Sequence, residues 1–175
     1  MKSANQKGET MKIGIIVYSQ SGHTAAFARE IAGQLGKAGL EYDIELVRPQ
    51  GIPKPWTGKI QFRKIPDITE YDILLVGAPV WAFNISKVIV SLLYKLDSLK
   101  GKKVFPFVTH GLPVKPIAQR ALRTLCNHIE ACSGDAMEGE AQFYLLSTTN
   151  KEKMREAAQR IVQRIRQQIT ALNMG

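Results

Sequence analysis

The chain is poor in cysteine, short of acid and without any long apolar run. Cys126 and Cys132 are its only cysteines among 175 residues. Their C-x5-C spacing has no matching pair elsewhere, so it fits neither a zinc site nor a disulfide framework. Two buried or half-buried free thiols in a cytoplasmic protein are the expectation. No apolar stretch approaches the roughly 20 residues that a membrane helix needs, and no membrane partner is expected. The opening "MKSANQKGET" has no apolar centre, which excludes a signal peptide or anchor there, and residues 1–10 are expected to form a loose tail. Repeats and low-complexity tracts are absent, and so are a zinc knuckle and any interleaved aromatic and basic run. Nothing therefore favours nucleic acid.

The shortage of acid leaves 24 Lys and Arg against 15 Asp and Glu, a net charge of +9. The excess is concentrated between Arg48 and Lys64, where Arg48, Lys54, Lys59, Arg63 and Lys64 stand with no acid among them. Such a stretch suits a phosphate-bearing ligand or an acidic protein, or is simply solvated. Trp56, in the same stretch, is expected to anchor the loop by packing.

What the chain does have is alternation. The segments 11–18, 41–47, 71–77, 102–109 and 140–147 are short and apolar, and they read as strands. Helical periods lie between them. Phe27, Ile31 and Leu35 mark one stripe; Ile85, Val88, Ile89, Leu92 and Leu96 a second; Ala118, Ala121, Leu122, Leu125 and Ile129 a third. Met154, Ala158, Ile161, Ile165, Ile169 and Leu172 mark a fourth, opened by a capping-box pair, Thr149 and Glu152. Gly39 falls where a left-handed helix cap belongs. The alternation predicts one domain over residues 11–175: a three-layer, doubly wound, five-stranded parallel sheet with helices on both faces. The connection 48–70, with Pro49, Pro53, Pro55 and Pro66, is expected to be an irregular loop.

Between "IGIIV" and "AAFAREIAGQL" stands "YSQSGHT", seven hydrogen-bonding residues where a turn needs two or three. Ligands of an open parallel sheet sit beyond the carboxyl ends of its strands. Backbone amides, three hydroxyls and the positive end of the next helix could converge there on an anion, a phosphate monoester by preference. The loop is neither G-x-G-x-x-G nor G-x-x-x-x-G-K-[ST], which disfavours a dinucleotide fold or a Walker-type site.

"IIVYSQSGHTAAFAREIA" resembles the FMN phosphate loop of the flavodoxin family. "GAPVWAFNIS" after the third strand resembles the second flavin loop of that family, and "THGLP" after the fourth occupies the place of the last flavin contacts. The resemblance runs from about Lys12 to Leu172 and implies the strand order 2-1-3-4-5. It implies that Ser19, Gln20, Ser21, Gly22, His23 and Thr24 wrap the FMN phosphate. Pro79, Val80, Trp81, Ala82, Phe83 and Asn84 would line the ring, with Trp81 stacked on it. Thr109, His110 and Gly111 would reach its other edge through backbone groups. No catalytic residue and no metal is implied.

Three departures from that family's pattern bear on function. Its electron carriers are typically acidic, whereas this chain carries +9, so it lacks the negative field that disfavours an anionic reduced flavin. Ala82 stands where low-potential carriers commonly have Gly, and a Cβ makes a flip to positive φ harder. "THGLPVKP" offers no aromatic to cover the second face of the ring. The first expectation is an FMN protein passing electrons between protein partners, its basic surface docking an acidic one. The alternative is an FMN-dependent NAD(P)H oxidoreductase acting on quinones or another small acceptor, with Arg63 or Lys87 near the phosphates of the nicotinamide cofactor. The fifth strand runs into the last helix without room for the insertion of long-chain flavodoxins.

Overall fold

A computed structural model of the chain describes residues 11–144 and 148–174, with 148 and 149 as backbone only. The expected tail at 1–10 lies outside these residues, as does the side chain of the capping-box Thr149. The elements in order are β1 (Ile13–Val17), α1 (His23–Lys37), β2 (Tyr42–Leu46), β3 (Ile73–Trp81), β4 (Asn84–Ile85), α2 (Lys87–Leu93), β5 (Lys103–His110), α3 (Lys115–Ala131), β6 (Asp135–Ala136), β7 (Glu140–Phe143) and α4 (Thr148–Asn173). The sheet runs β2-β1-β3-β5-β6, with β7 also on β5 and β4 folded back on β3. Every pairing is parallel except that of β4 with β3.

This is the expected 2-1-3-4-5 order with two local differences. First, the fifth strand arrives in two pieces, β6 and β7, and begins at Asp135 rather than Glu140. Val104 pairs with Ala136, but Phe107 pairs with Glu140, so the offset grows by one residue across the gap. That extra residue is a bulge at 137–139, opposite Pro106. Alternation along β5 turns the backbone of residue 106 toward the fifth strand, as Val104 and its bond from the Met137 amide show. Proline has no N–H to donate there, and the ladder skips. Second, β3 runs on to Trp81 because it turns back as a tight hairpin into β4, which places Ile85 in a strand rather than in α2.

The alternating side chains of the central strands β1, β3 and β5 bury both faces, whereas the edge strand β2 is largely exposed. Ile13, Ile15, Val17, Ile73, Leu75, Phe105 and Phe107 pack under Phe27, Ile31 and Leu35 of α1 and Ala158, Ile161 and Ile165 of α4. Ile16, Leu74, Val76, Val104 and Val108 pack on the other face against Val88, Ile89 and Leu92 of α2 and Leu125 and Ile129 of α3. Helix α1 ends as expected, with Gly39 at φ 71 just past its last turn. Helix α4, about 39 Å long at 1.5 Å per residue, outruns the sheet. Leu172 at its far end is therefore 47% exposed instead of continuing the core stripe.

The connection 48–70 is irregular, as expected, yet it is pinned. Its neck closes through Arg63 N to Arg48 O and Gln50 N to Gln61 O, with Pro49 bridged to Phe62. Beyond the neck, residues 51–60 form a lobe that buries Pro53 and Ile60. Trp56 does not anchor it. The indole is 75% exposed, because the turn from Lys54 to Thr57 carries it outward while Ile60 takes the place in the core.

Candidate functional site

The carboxyl ends of β1, β3 and β5, the three central strands, carry the three loops singled out in the sequence, and specific contacts tie them together. Thr24 Oγ1 and Thr109 Oγ1 lie 2.7 Å apart and are both buried, which joins the first loop to the third. Two hydroxyls sharing one hydrogen bond leave one proton uncommitted, so Thr24 can still donate if it accepts from Thr109. Tyr18 meets Trp81 edge to face at 5.5 Å, which joins the first loop to the second. Burial in this contact pushes the Tyr18 phenol above its ordinary pKa.

The first loop is built to leave donors open. Gly22 precedes α1 at φ 89 and ψ −13, a left-handed conformation that any Cβ would strain. Its carbonyl accepts from the Ala26 amide at 2.9 Å, the first bond of the helix. No side chain caps that helix and its first turn holds no acid, so its N-terminal amides keep their partial positive charge. Ser19 Oγ is buried and has no hydrogen-bond partner among the described residues. An orphaned hydroxyl beside an uncapped helix start fits an anion that accepts from both. Gln20 and Ser21 are exposed at the tip of the bend, and His23 is half-buried.

The second loop is the hairpin. Ala82 at φ 45 and Phe83 at φ 67 form its two-residue turn, the positive-φ pattern of a type I′ turn. The Cβ of Ala82 has thus not kept the backbone from positive φ, contrary to the sequence argument; closing the hairpin imposes it. Two non-glycine residues there cost about 1–2 kcal/mol each. Pro79, Val80 and Trp81 are half-buried, whereas Ala82, Phe83 and Asn84 are exposed. Asn84 Oδ1 accepts from the Ile85 amide at 2.8 Å, and Pro79 O accepts from the Ser86 amide at 3.0 Å.

The third loop is largely committed. His110 is buried, its Nδ1–H donating to Leu112 O at 2.8 Å and its carbonyl accepting from the Tyr144 amide. The carbonyl of His110 thus also holds β7, which ties the third loop to the edge of the sheet. Gly111 lies under Tyr144, where an added Cβ would come within 2.8 Å of the phenol oxygen. Tyr144 in turn stacks on His23, centroids 3.9 Å apart and planes at 10°. Sequence reasoning missed Tyr144, since it lies far along the chain and only the ladder of β7 on β5 delivers it to the first loop.

Among the described residues, cavities open at this end of the sheet, two of them beside the three loops. One of about 330 Å³ lies between Tyr18, Ser19 and Gln20 and the neck residues Arg48 and Arg63. The other, about 460 Å³, lies beyond His110 toward Lys115, Lys153 and Arg160. Trp81 lines neither. Among the described residues no cluster of His, Cys, Asp or Glu could hold a metal, and no helix is long and apolar enough to cross a membrane. Cys126 and Cys132 are free and half-buried, and burial raises both thiols.

A doubly wound parallel sheet with helices on both faces and three loops at the carboxyl ends of its central strands defines the class, the open-sheet α/β proteins. The flavodoxin family model matches residues 55–152, and the chain belongs to that family. Its fold is that of flavodoxin 1 of Bacillus cereus, at TM-score 0.61 and 20% identity over 87% of this chain and 97% of that one. A flavodoxin of Streptococcus pneumoniae is similar at TM-score 0.60 and 15% identity, over 87% and 99%. The NAD(P)H dehydrogenase (quinone) of Caulobacter vibrioides is 32% identical over 76 residues. That stretch is 39% of this chain and 38% of that protein's length.

Proposed function

We propose that the chain binds FMN and passes electrons between protein partners. The observation that carries this reading is the uncapped start of α1 beside the unpartnered hydroxyl of Ser19. The amides after Gly22, with Ser19, Ser21 and Thr24, hold the phosphate by neutral donors and the helix's positive end. Val80, Trp81 and Phe83 flank the ring, and Thr109, tied to Thr24, fixes the spacing of the first and third loops. The flavin when bound supplies the electron chemistry, and the protein supplies binding and electrostatics. The three loops contain no acid, so the surroundings favour an acidic docking partner and a reduced flavin of less negative potential than in acidic relatives. Two free thiols agree with a cytoplasmic setting.

The test is Ser21→Asp, which sets a carboxylate where the phosphate is to sit. Purified wild type is to show the visible flavin spectrum and the variant to lose it. Retained flavin in the variant would refute the phosphate site.

A second reading is an FMN-dependent NAD(P)H oxidoreductase with a small acceptor such as a quinone. The stretch similar to the Caulobacter quinone dehydrogenase favours it. So does Tyr144, which is engaged with His23 rather than standing over the hairpin. Anaerobic mixing with NADH or NADPH separates the two: rapid bleaching supports the oxidoreductase, and an unchanged spectrum supports the carrier.

A further inference from the structure

The lobe 51–60 presents apolar and cationic groups together, with nothing among the described residues to receive them. Ile52 is 78% exposed and Trp56 75%, on a lobe whose own packing is done by Pro53 and Ile60. Large apolar side chains so exposed lose hydration free energy that burial would recover. Lys54 Nζ lies over the Trp56 ring at 5.8 Å, so charge and indole are offered side by side. Arg48, Lys59 and Arg63 flank them, and among the described residues none of these three has an ion-pair partner. Lys64 meets Glu45 only at 3.7 Å, with both groups substantially exposed. Arg48 and Arg63 face each other across the neck, a like-charge pairing that costs energy unless an anion lies near.

We propose that this lobe docks the protein on an anionic lipid surface, with Ile52 and Trp56 entering the interface and the five cations meeting the headgroup charge. Tryptophan settles at the level of lipid headgroups, where its ring is half in hydrocarbon and its N–H remains wet. Each nearby Lys or Arg strengthens binding to an anionic surface about fivefold. An acidic protein would satisfy the cations but would need a socket for two separate, fully presented apolar side chains. A lipid interface needs none, and the observations favour it.

The neck of the lobe lines the same cavity as Tyr18, Ser19 and Gln20, so lobe and candidate site share one end of the sheet. Docking turns that end toward the bilayer, where an apolar acceptor such as a quinone would be dissolved. This consequence rests on the second reading above, the oxidoreductase with a small acceptor; the docking itself does not, and its test reads no flavin signal.

The test is sedimentation of the full chain, as purified, with vesicles. One set is phosphatidylcholine alone; the other contains about 30% phosphatidylglycerol to give the surface its negative potential. Wild type is to partition onto the anionic vesicles and hardly onto the neutral ones. Ile52→Ser with Trp56→Ser is to weaken that binding at least tenfold, and Lys54→Glu with Lys59→Glu is to abolish it. All four residues are exposed, and unchanged circular dichroism would show the variants folded. Brominated lipid is to quench wild-type fluorescence and to lose most of that effect in Trp56→Phe. Failure to bind anionic vesicles overturns the proposal, whatever acidic protein is bound instead. Binding that the Ile52 and Trp56 changes leave intact also overturns it, as adsorption of a chain of charge +9 and no more.

Discussion

Glu140 is the place where one substitution should test how the far edge of the sheet is held. Its carboxylate is only 10% exposed and accepts three hydrogen bonds. Two come from Arg160, at 2.9 and 3.0 Å, and one from Arg164 Nη1 at 2.8 Å. Arg164 also donates to Glu138 at 2.7 Å, so two arginines of α4 clamp the bulge and the start of β7. Breaking a fully buried pair costs about 3–5 kcal/mol. Here Arg160 is half exposed and Arg164 keeps Glu138, so both cations remain partly solvated when the carboxylate is lost. For Glu140→Ala the expectation is a loss of about 2 kcal/mol. With a urea dependence of about 2 kcal/mol per molar for a domain of this size, the unfolding midpoint should fall by about 1 M. Urea unfolding followed by circular dichroism measures it, and Arg160→Ala with the double variant completes a cycle. A midpoint within about 0.2 M of wild type would refute the clamp as a source of stability. Because β7 delivers Tyr144 to His23, the variant should also loosen that stack.

Replacing Ala82 by Asn and Phe83 by Gly gives the hairpin the residues its positive φ values favour, and should stabilise the flavin-free protein by about 1 kcal/mol. A lower melting temperature in calorimetry would show that the turn is not strained as argued. The raised thiols of Cys126 and Cys132 hold less thiolate, so iodoacetamide near pH 8 should label them several-fold more slowly than after unfolding in urea; equal rates would contradict their burial. The same direction holds for the phenols of Tyr18 and Tyr71, which fold raised chiefly by burial. Their contribution is intact below the ordinary tyrosine pKa of about 10 and is lost as pH climbs through the folded values, so stability should decline above about pH 10. A midpoint in urea that is flat across that range would count against it.

By itself the sequence determined the layers and the position of the first loop, while the strand order came only with the resemblance to the flavodoxin family. The layers and the loop follow from local causes: apolar runs long enough for buried strands, helical stripes between them, and hydroxyls and a glycine at the bend after β1. The covered faces came with them, since a strand apolar on both sides must be covered on both. What the tertiary structure alone decided depends on pairs distant in the chain. Pro106 interrupts the ladder to a strand about thirty residues later, and the bulge that results was invisible in either segment alone. The exposure of Trp56 depended on which residue of its lobe, Ile60 or the indole, won the contact with the core. Ala82 was read by its intrinsic preference, and the closure of β4 on β3 overrode that preference. Tyr144 reached His23, and its amide reached the carbonyl of His110, through backbone pairings whose register is set by the whole sheet.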